Sequence, residues 1–265
     1  TGRYLMKTYT KESLIAALQE LRDRGWIESR RHGNNGGVGN TVEELLGITE
    51  NNLPLPNAAE WELKAQRIGT AALTTLLHME PSPTACKFVP KILLPNYGWS
   101  HKEAGKKYGV EEMSFRQTIT ANKYSDRGFT VRVDRNERKL SVTFDSGKVG
   151  VRHAKWLQSV RERAGLGDLA PYPYWGFDDL FHKVGTKLHN CFYLRAMMKR
   201  VDGKEFFHYT EILMLRRLSQ EKFIEAIENG SVFVDFDART GHNHGTKFRI
   251  QQSAIPSLYA DIAQL

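Results

Sequence analysis

The chain has 265 residues, of which 40% are hydrophobic, and this is enough apolar material for one substantial core or two small ones. Its 38 Lys and Arg residues outnumber the 30 Asp and Glu residues, and the net charge of +8 favours a polyanionic partner such as nucleic acid without requiring one. Two cysteines are too few for a disulfide framework or a cysteine zinc site, and no apolar run is long enough to cross a membrane, so we expect a cytoplasmic protein.

The chain begins at Thr1 rather than at a methionine. This start is compatible with a tag remnant before a native Met6 and with a cut made within a longer chain, and the sequence leaves both open. The first predicted element is a helix that Thr10 caps and that runs through Arg24, with Gly25 as its stop. Its leucines fall on one face, which indicates packing rather than chemistry.

A basic, glycine-rich stretch follows the first helix. The segment "SRRHGNNGGVGN" (29–40) can approach a phosphate backbone closely, with Arg31 and Asn40 as candidate DNA contacts. The next segment, "TVEELLG", predicts a short helix that is capped by Asn40 or Thr41 and ended by Gly47.

The rest of the chain alternates between strand and helix patterns, with no internal repeat and no obvious linker. One mixed α/β domain is the simplest arrangement. The predicted elements are a strand through Lys64, a helix from about Gly69 to His78, the hairpin "FTVRVD…KLSVTFD", the helix "FDDLFHKVGTKL" with Asp178 as its cap, the hairpin "CFYLRAMMKR…KEFFHYTEILML", a helix from Ser219 to Asn229, the strands "VFVDFDA" and "FRIQ" around "RTGHNHGTK", and a terminal helix from about Ile255.

Charged side chains alternate in "AAEWELKAQR" (58–67). If this segment is a strand, Glu60, Glu62 and Lys64 share one face, and the tryptophan and leucine between them face the core. Phosphodiester hydrolysis needs carboxylates that hold Mg²⁺ beside the scissile phosphate and a lysine that orients or deprotonates the attacking water. An acid-x-Lys strand supplies both groups on one edge.

The acid-x-Lys pattern alone is common and usually marks a solvated strand face with a weak ion pair. Asp202-Gly203-Lys204 fits the same pattern but falls in a predicted hairpin turn without a second carboxylate nearby. The prediction of a catalytic site at positions 62–64 therefore depends on the surrounding sequence, in which a short acidic helix and a glycine-rich basic loop precede the strand.

The segments "GWIESRRHGNNGGVGNTVEELLG…NNLPLPNAAEWELKAQR", "FRQTITANKYSDRGFTVRVD", "YWGFDDLFHKVGTKL" and "HNHGTKFRI" resemble the MvaI/BcnI restriction endonuclease family, relatives of the mismatch-repair nickase MutH within the PD-(D/E)xK nucleases. The resemblance implies a MutH-like α/β (α+β) fold in a single nuclease domain, 1–265, with a catalytic lobe (about 1–100) and a DNA-recognition lobe (about 101–265) around a DNA cleft. It also implies Mg²⁺ dependence, with Mn²⁺ as a substitute, a monomer that cleaves short specific sites in double-stranded DNA, a possible cognate DNA methyltransferase, and a bacterial or archaeal cytosol.

Carried over residue by residue, the resemblance places the helix-borne acid at Glu43, the acid of the acid-x-Lys pair at Glu62 and the lysine at Lys64. The family's first strand acid falls on Asn57, and an amide is a much poorer Mg²⁺ ligand than a carboxylate. Either the chain cleaves poorly, with Asn57 native or engineered, or Glu60 replaces the missing ligand.

The segment "RTGHNHGTKFR" concentrates basic side chains between two strands. It fits a solvated turn, a zinc site formed by the His-x-His pair, or a base-reading loop; its letters H-N-H are a coincidental match to HNH nucleases. We favour base recognition, because Arg and Lys donate to guanine and histidines contact base edges. In the family this loop enters the major groove. The implied DNA-binding residues are His242, His244 and Arg249, with Arg239 and Lys247 as further candidates.

"TITANKYSDRG" would lie on the opposite side of the duplex, with Lys123 and Arg127 as phosphate contacts, although a polar loop before a hairpin explains it equally well. Together these patterns predict a sequence-specific type II restriction endonuclease. The alternatives are a MutH-like nicking enzyme and a catalytically inactive, sequence-specific DNA-binding module. The recognition sequence, cut position and methylation sensitivity cannot be predicted, because they depend on side-chain poses and DNA deformation.

Overall fold

The computed structural model describes residues 8–33, 36–48, 58 and 60–265, and these residues form a mixed α/β structure with three β-sheets. The predicted fold class is therefore confirmed. The strands are β1 (Ile27–Glu28), β2 (Glu62–Arg67), β3 (Leu73–His78), β4 (Trp99–Ser100), β5 (Met113–Ile119), β6 (Arg127–Asp134), β7 (Lys139–Val149), β8 (Tyr174–Gly176), β9 (Cys191–Val201), β10 (Lys204–Leu218), β11 (Val232–Arg239), β12 (His242–Asn243), β13 (Lys247–Gln251) and β14 (Tyr259–Gln264).

The helices are α1 (Lys11–Asp23), α2 (Gly37–Leu46), α3 (Leu94–Tyr97), α4 (Ala154–Ala164), α5 (Phe177–Leu188) and α6 (Gln220–Glu228). Short 3-10 turns occur at Thr84–Cys86, Val151–His153 and Gln252–Leu258, and a π-helical turn occurs at Val89–Leu93. Within the described ranges, no helix is both long enough and apolar enough to span a membrane.

The chain folds into two compact units. Both units contain segments that are distant in sequence, because the chain passes from one to the other several times. The first unit contains Thr1–Leu73, His182–Lys222 and Gln251–Leu265, and the second contains Thr74–Phe181 and Phe223–Ile250. The assignment of catalysis to a lobe at about 1–100 and of DNA recognition to a lobe at about 101–265 stays a prediction.

The first unit is built on a five-stranded sheet in the order β1-β10-β9-β2, with β14 also paired to β10. Only the β2–β9 pair is parallel among the strand pairs described for this sheet; the others are antiparallel. One face of the sheet buries its apolar side chains together with those of α1 and α2. Trp61 stacks on Phe192 in this core, with ring centroids 4.4 Å apart. Because Trp61 is buried on this face, the alternate residues of β2, which begin with Glu62, lie on the opposite face of the sheet.

The second unit contains a six-stranded sheet, in the order β3-β13-β11-β5-β4 with β12 on β11, and a three-stranded sheet, β6-β7-β8. Phe115 of β5 contacts Phe129 of β6 and Phe236 of β11, with centroids 5.6 Å and 5.4 Å apart. These rings are fully buried and connect the elements of the second unit's core.

Local signals set several elements as predicted. Thr10 and Ser13 form a capping box at the start of α1. Both hairpins form, and Asp202 and Gly203 take positive φ angles of 50° and 78° at the tip of the second, as a tight two-residue turn requires. The Ser219 hydroxyl accepts a hydrogen bond from the Lys222 N–H and caps α6.

Other sequence predictions were wrong. The region expected to form a helix from Gly69 to His78 contains β3 instead, because pairing with β13 outweighs its weak helical pattern. The expected terminal helix from Ile255 is a 3-10 turn followed by β14, since Pro256 lacks the N–H that an α-helix needs and the following residues pair with β10. Asp178 lies in the first turn of α5 rather than at its cap.

Helix α2 also begins earlier than expected, at Gly37 inside the glycine-rich stretch, so neither Asn40 nor Thr41 caps it. Instead, the Thr41 hydroxyl donates to the Gly37 carbonyl oxygen and accepts from the Arg30 N–H. The predicted end is correct, because Gly47 takes the left-handed conformation with φ 67°.

Two glycines of α2 provide a matched test of this start. A Cβ atom at Gly37 would lie 2.5 Å from the Arg31 carbonyl oxygen, whereas a Cβ at Gly39 would have nothing within 4 Å. We expect Gly37→Ala to lower the free energy of unfolding by about 1 to 3 kcal/mol through overpacking. Gly39→Ala should raise it by up to about 1 kcal/mol through helix propensity. Urea unfolding measures both; equal effects of the two substitutions would contradict the close approach of Arg31.

Candidate functional site

Glu62 opens strand β2 and its carboxylate is almost completely buried, with 2% of the side chain exposed. The Lys64 Nζ lies 3.0 Å from the Glu62 Oε1, as expected for residues on one strand face. The Lys187 Nζ lies 3.6 Å from the same oxygen. A buried carboxylate needs polar or charged partners, and the two lysines supply them on one side of Glu62.

Lys187 is a site residue that the sequence analysis missed. It lies in the last turn of α5, which leads directly into β9. Because β9 runs parallel to β2, with Cys191 opposite Glu62, the end of α5 arrives beside the Glu62 carboxylate. The local sequence shows only a lysine at the end of a helix, where cations are common, and the parallel pairing that gives it meaning is a long-range contact.

The expectation that Glu60 shares a strand face with Glu62 and Lys64 is wrong. The N–H of Ala58 donates to the Trp61 carbonyl oxygen at 3.0 Å, and the Trp61 N–H donates back to Ala58 at 2.9 Å, so Glu60 lies in a tight turn before the strand. Its side chain is exposed. The alternation that suggested Glu60 as a metal ligand begins two residues later than expected.

The other acids expected at this site have different outcomes. Glu43 lies on α2, which packs against β2, and its side chain is half-buried. Asn57 lies outside the described residues. Across the described ranges, no group of three or more His, Cys, Asp or Glu side chains is placed to hold a metal ion. The His-x-His pair of the zinc alternative therefore has no third such ligand among the described residues.

Two buried groups beside Glu62 carry no charge near neutral pH. Cys191, opposite Glu62 on β9, is fully buried, and this burial raises the pKa of its thiol to about 12. Burial likewise holds the pKa of Tyr259 well above its ordinary value, and its hydroxyl donates to the Leu188 carbonyl oxygen at 2.6 Å. Neither group is suited to act as a nucleophile or base near neutral pH.

In the second unit, the segment 240–246 joins β11 to β13 and contains β12; we call it the histidine loop. His242 and His244 are both exposed, with ring centroids 4.1 Å apart and planes at 78°. The His242 Nε2 lies 3.2 Å from the His244 Nδ1, which fits a hydrogen bond between two imidazoles. The loop therefore presents two adjacent ring edges to solvent.

The cationic side chains near the histidine loop are paired with carboxylates. Arg239 contacts Glu112 at 2.9 Å. The corresponding separations across the sheet are 3.9 Å for Lys247 with Asp237 and 3.5 Å for Arg249 with Asp235. Each expected base-reading cation thus lies near a carboxylate of the second unit, and Asp237 also lies 3.7 Å from Arg116.

The expected phosphate contacts differ in environment. Lys123 and Arg31 are exposed, and Asn40 is half-buried within α2. The Arg127 guanidinium stacks 3.8 Å from the ring centroid of Trp99, and its burial lowers its pKa from the ordinary value. Arg127 is therefore a packed side chain rather than an extended one, and phosphate contact by any of the four stays a prediction.

The chain that contains this acid-x-Lys strand and this histidine loop is similar to known proteins. The model of the MvaI/BcnI restriction endonuclease family matches residues 15–259. The chain belongs to this family. The resemblance drawn from the sequence is confirmed, and the MvaI/BcnI family consists of restriction endonucleases, which act on DNA. No curated protein sequence matches the chain.

Two solved structures have the same fold as this MvaI/BcnI family member. The first is a complex of restriction endonuclease MvaI with its cognate DNA substrate, with a TM-score of 0.70 at 23% identity over 97% of this chain and 99% of that chain. The second is MvaI in the absence of DNA, with a TM-score of 0.55 at 22% identity over 95% of this chain and 97% of that chain. At these identities the likeness concerns the fold.

Proposed function

We propose that this chain is a site-specific type II endonuclease that hydrolyses phosphodiester bonds in double-stranded DNA with the help of Mg²⁺. The observation that carries the proposal is the buried Glu62 carboxylate with the Lys64 ammonium 3.0 Å away, in a chain that belongs to a restriction endonuclease family. The proposed partner is duplex DNA, the proposed state is a monomer, and a DNA methyltransferase of matching specificity would protect the host genome. The proposed location is the cytosol of a bacterium or archaeon.

The donor chemistry at Glu62 fits Mg²⁺. This ion prefers oxygen ligands, keeps several waters, and is usually held by one or two carboxylates together with phosphate oxygens of the substrate. Glu62 supplies one such carboxylate, and position 57 or Glu60 would supply a further protein ligand. When bound, the ion would polarise the scissile phosphate and lower the pKa of a bound water.

Lys64 is the residue proposed to position the attacking water. Its ammonium donates hydrogen bonds and stabilises the negative charge that builds up on the phosphate as the water oxygen bonds to phosphorus. The bond from phosphorus to the leaving sugar oxygen then breaks, the water loses a proton to the solvent, and the leaving oxygen gains one. Lys187 would remain as a cationic partner of Glu62 if Lys64 turned toward the substrate, because its Nζ lies 3.6 Å from the same carboxylate oxygen.

The histidine loop is the proposed base-reading element. His242 and His244 are exposed and carry donors and acceptors that suit base edges in the major groove. Arg249, Arg239 and Lys247 would add contacts to guanine by exchanging a carboxylate partner for a base.

A second candidate function follows from Asn57. With an amide where the family has an acid, the chain would bind its site and cleave slowly or not at all. Incubation of supercoiled plasmid with the protein and Mg²⁺ separates the candidates: linear DNA supports the endonuclease, nicked DNA supports a MutH-like nicking enzyme, and unchanged DNA with retained binding supports the inactive module.

Lys64→Ala tests the catalytic lysine. Loss of its charge should reduce the cleavage rate by a factor of about 100 or more, while DNA affinity changes little, because the ammonium acts mainly in the transition state. Glu62→Ala should behave similarly. Single-turnover cleavage and a gel-shift titration measure the two quantities, and retained turnover in Lys64→Ala would remove this site from the proposal.

Matched controls come from the same residue types. Lys204 belongs to the second acid-x-Lys triplet and pairs with Glu28 at 3.1 Å, so neither Lys204→Ala nor Asp202→Ala should change the cleavage rate. Lys187→Ala should lower it by about tenfold, whereas Lys183→Ala, an exposed position on the same helix, should not.

Asn57 and Glu60 make opposite predictions for metal binding. If Asn57 is the impaired ligand, Asn57→Asp should raise Mg²⁺-dependent cleavage strongly and Glu60→Ala should have little effect. If Glu60 completes the site, Asn57→Asp should do little and Glu60→Ala should abolish activity. Plasmid cleavage with Mg²⁺ or Mn²⁺ measures both variants, and a complete lack of cleavage by the chain and by Asn57→Asp would leave the inactive binding module.

Base recognition by the histidine loop predicts a position-dependent loss. His244→Ala or Arg249→Ala should cost about 1 to 3 kcal/mol of discrimination at particular base pairs and leave nonspecific, salt-sensitive binding largely intact. Competition binding with single-substituted duplexes measures this, and an equal loss for all sequences would assign the loop to phosphate contact. Release of zinc from the purified protein would instead support the metal alternative.

A further inference from the structure

The C-terminal end of the histidine loop is attached to a carboxylate from a distant part of the sequence. The Thr246 N–H donates to the Glu80 Oε1 at 2.7 Å, and the Thr246 hydroxyl donates to the Glu80 Oε2 at 3.2 Å. The neighbouring Met79 N–H donates to the Thr246 carbonyl oxygen at 3.0 Å. Thr246 is 1% exposed, so its backbone and side-chain groups depend on protein partners rather than on water.

The loop is also fixed at its other end and inside. The Met113 N–H donates to the Thr240 hydroxyl at 2.9 Å, and the Thr240 N–H donates to the Met113 carbonyl oxygen. The His244 N–H donates to the Asp237 carbonyl oxygen at 2.9 Å, and the Asn243 Oδ1 accepts from the Gly245 N–H at 3.0 Å. Both histidines therefore lie in a segment whose backbone is held on each side.

Glu80 differs from the other anchors because its two side-chain oxygens both accept hydrogen bonds from one residue, Thr246. These contacts hold the loop directly after Gly245, whose φ of 88° lies in a region that other residues rarely adopt. A two-point restraint on the loop thus acts two residues from the exposed His244 ring.

We propose that Glu80 is a positioning residue for base recognition, which sets the orientation of His242 and His244 by clamping Thr246. The inference rests on the proposed function of the histidine loop. Both Glu80 oxygens accept from Thr246, so the proposed role of Glu80 is an indirect one, through the position of the loop. Fixing the loop before binding removes the cost of ordering it on DNA. That cost would otherwise reduce the difference in binding free energy between the correct DNA site and similar sequences.

Glu80→Ala and Glu80→Gln separate positioning from charge. The amide of glutamine can accept from the Thr246 N–H and donate to the Thr246 hydroxyl, so Glu80→Gln should keep the loop geometry. Alanine removes both contacts. Thr246→Val is a milder variant that loses only the hydroxyl contact, and Glu137→Ala, at an exposed turn of the second unit, is the matched control.

The experiment begins with selection of a sequence from a random duplex library by the unmodified chain in Ca²⁺. Competition binding then compares the selected duplex with single-substituted duplexes. The discrimination ratio is the affinity for the selected duplex divided by that for a single-substituted duplex. Glu80→Ala should lower this ratio by about tenfold or more, with the affinity for random DNA within about twofold of that of the unmodified chain. Glu80→Gln and Glu137→Ala should retain the ratio, and Thr246→Val should lie between.

Hydrogen exchange of the histidine loop provides the readout without DNA. Glu80→Ala should accelerate exchange of the Thr246 amide by about tenfold or more relative to Glu80→Gln, while core amides of β11 keep their rates. Unchanged discrimination in Glu80→Ala, or an equal loss in Glu80→Gln, would overturn the positioning role and leave the proposed function intact. If the unmodified chain selects no sequence, the proposed function fails first, and base recognition by this loop fails with it.

Discussion

A single buried carboxylate organises the candidate active site. Glu62 has almost no contact with solvent, so its side chain depends on partners that the protein brings to it. Lys64 comes from the same strand, and Lys187 comes from the end of a helix far along the chain. The parallel pairing of β2 with β9 makes that second approach possible, and the core on the opposite sheet face fixes the direction of both strand residues. The strand geometry and pairing that bring both lysines to Glu62 therefore also shape the site.

Short-range patterns were sufficient for part of the fold. The helix cap at Thr10, the turn at Asp202-Gly203 and the alternation along the long hairpins are set by neighbours in sequence, and they form as predicted. Where tertiary pairing competes with a weak local pattern, prediction failed, as at β3 and β14. The start of α2 was missed for another reason: the close approach of the Arg31 carbonyl to Gly37 is a contact that no periodicity encodes.

The candidate site shows the same division. The spacing of Glu62 and Lys64 was visible because a strand places residues two apart on one face, but the same rule was applied too far at Glu60, where a turn precedes the strand. Lys187 and Glu80 could not be found from sequence, because each acquires its role from a partner more than a hundred residues away. The acids that pair with the expected base-reading cations could not be found from the sequence either, because strand register decides which carboxylate faces which cation.

The acid-paired cations of β11 and β13 bear on how a DNA-binding surface can avoid the wrong DNA. Asp235 pairs with Arg249, and Asp237 lies near both Lys247 and Arg116, so these acids offset part of the positive charge on this sheet. Under the proposed base recognition, a duplex would gain from these side chains when its bases replace the carboxylates as partners. The intramolecular acids would then compete with every sequence, and a sequence with poorly matched bases would leave them in place.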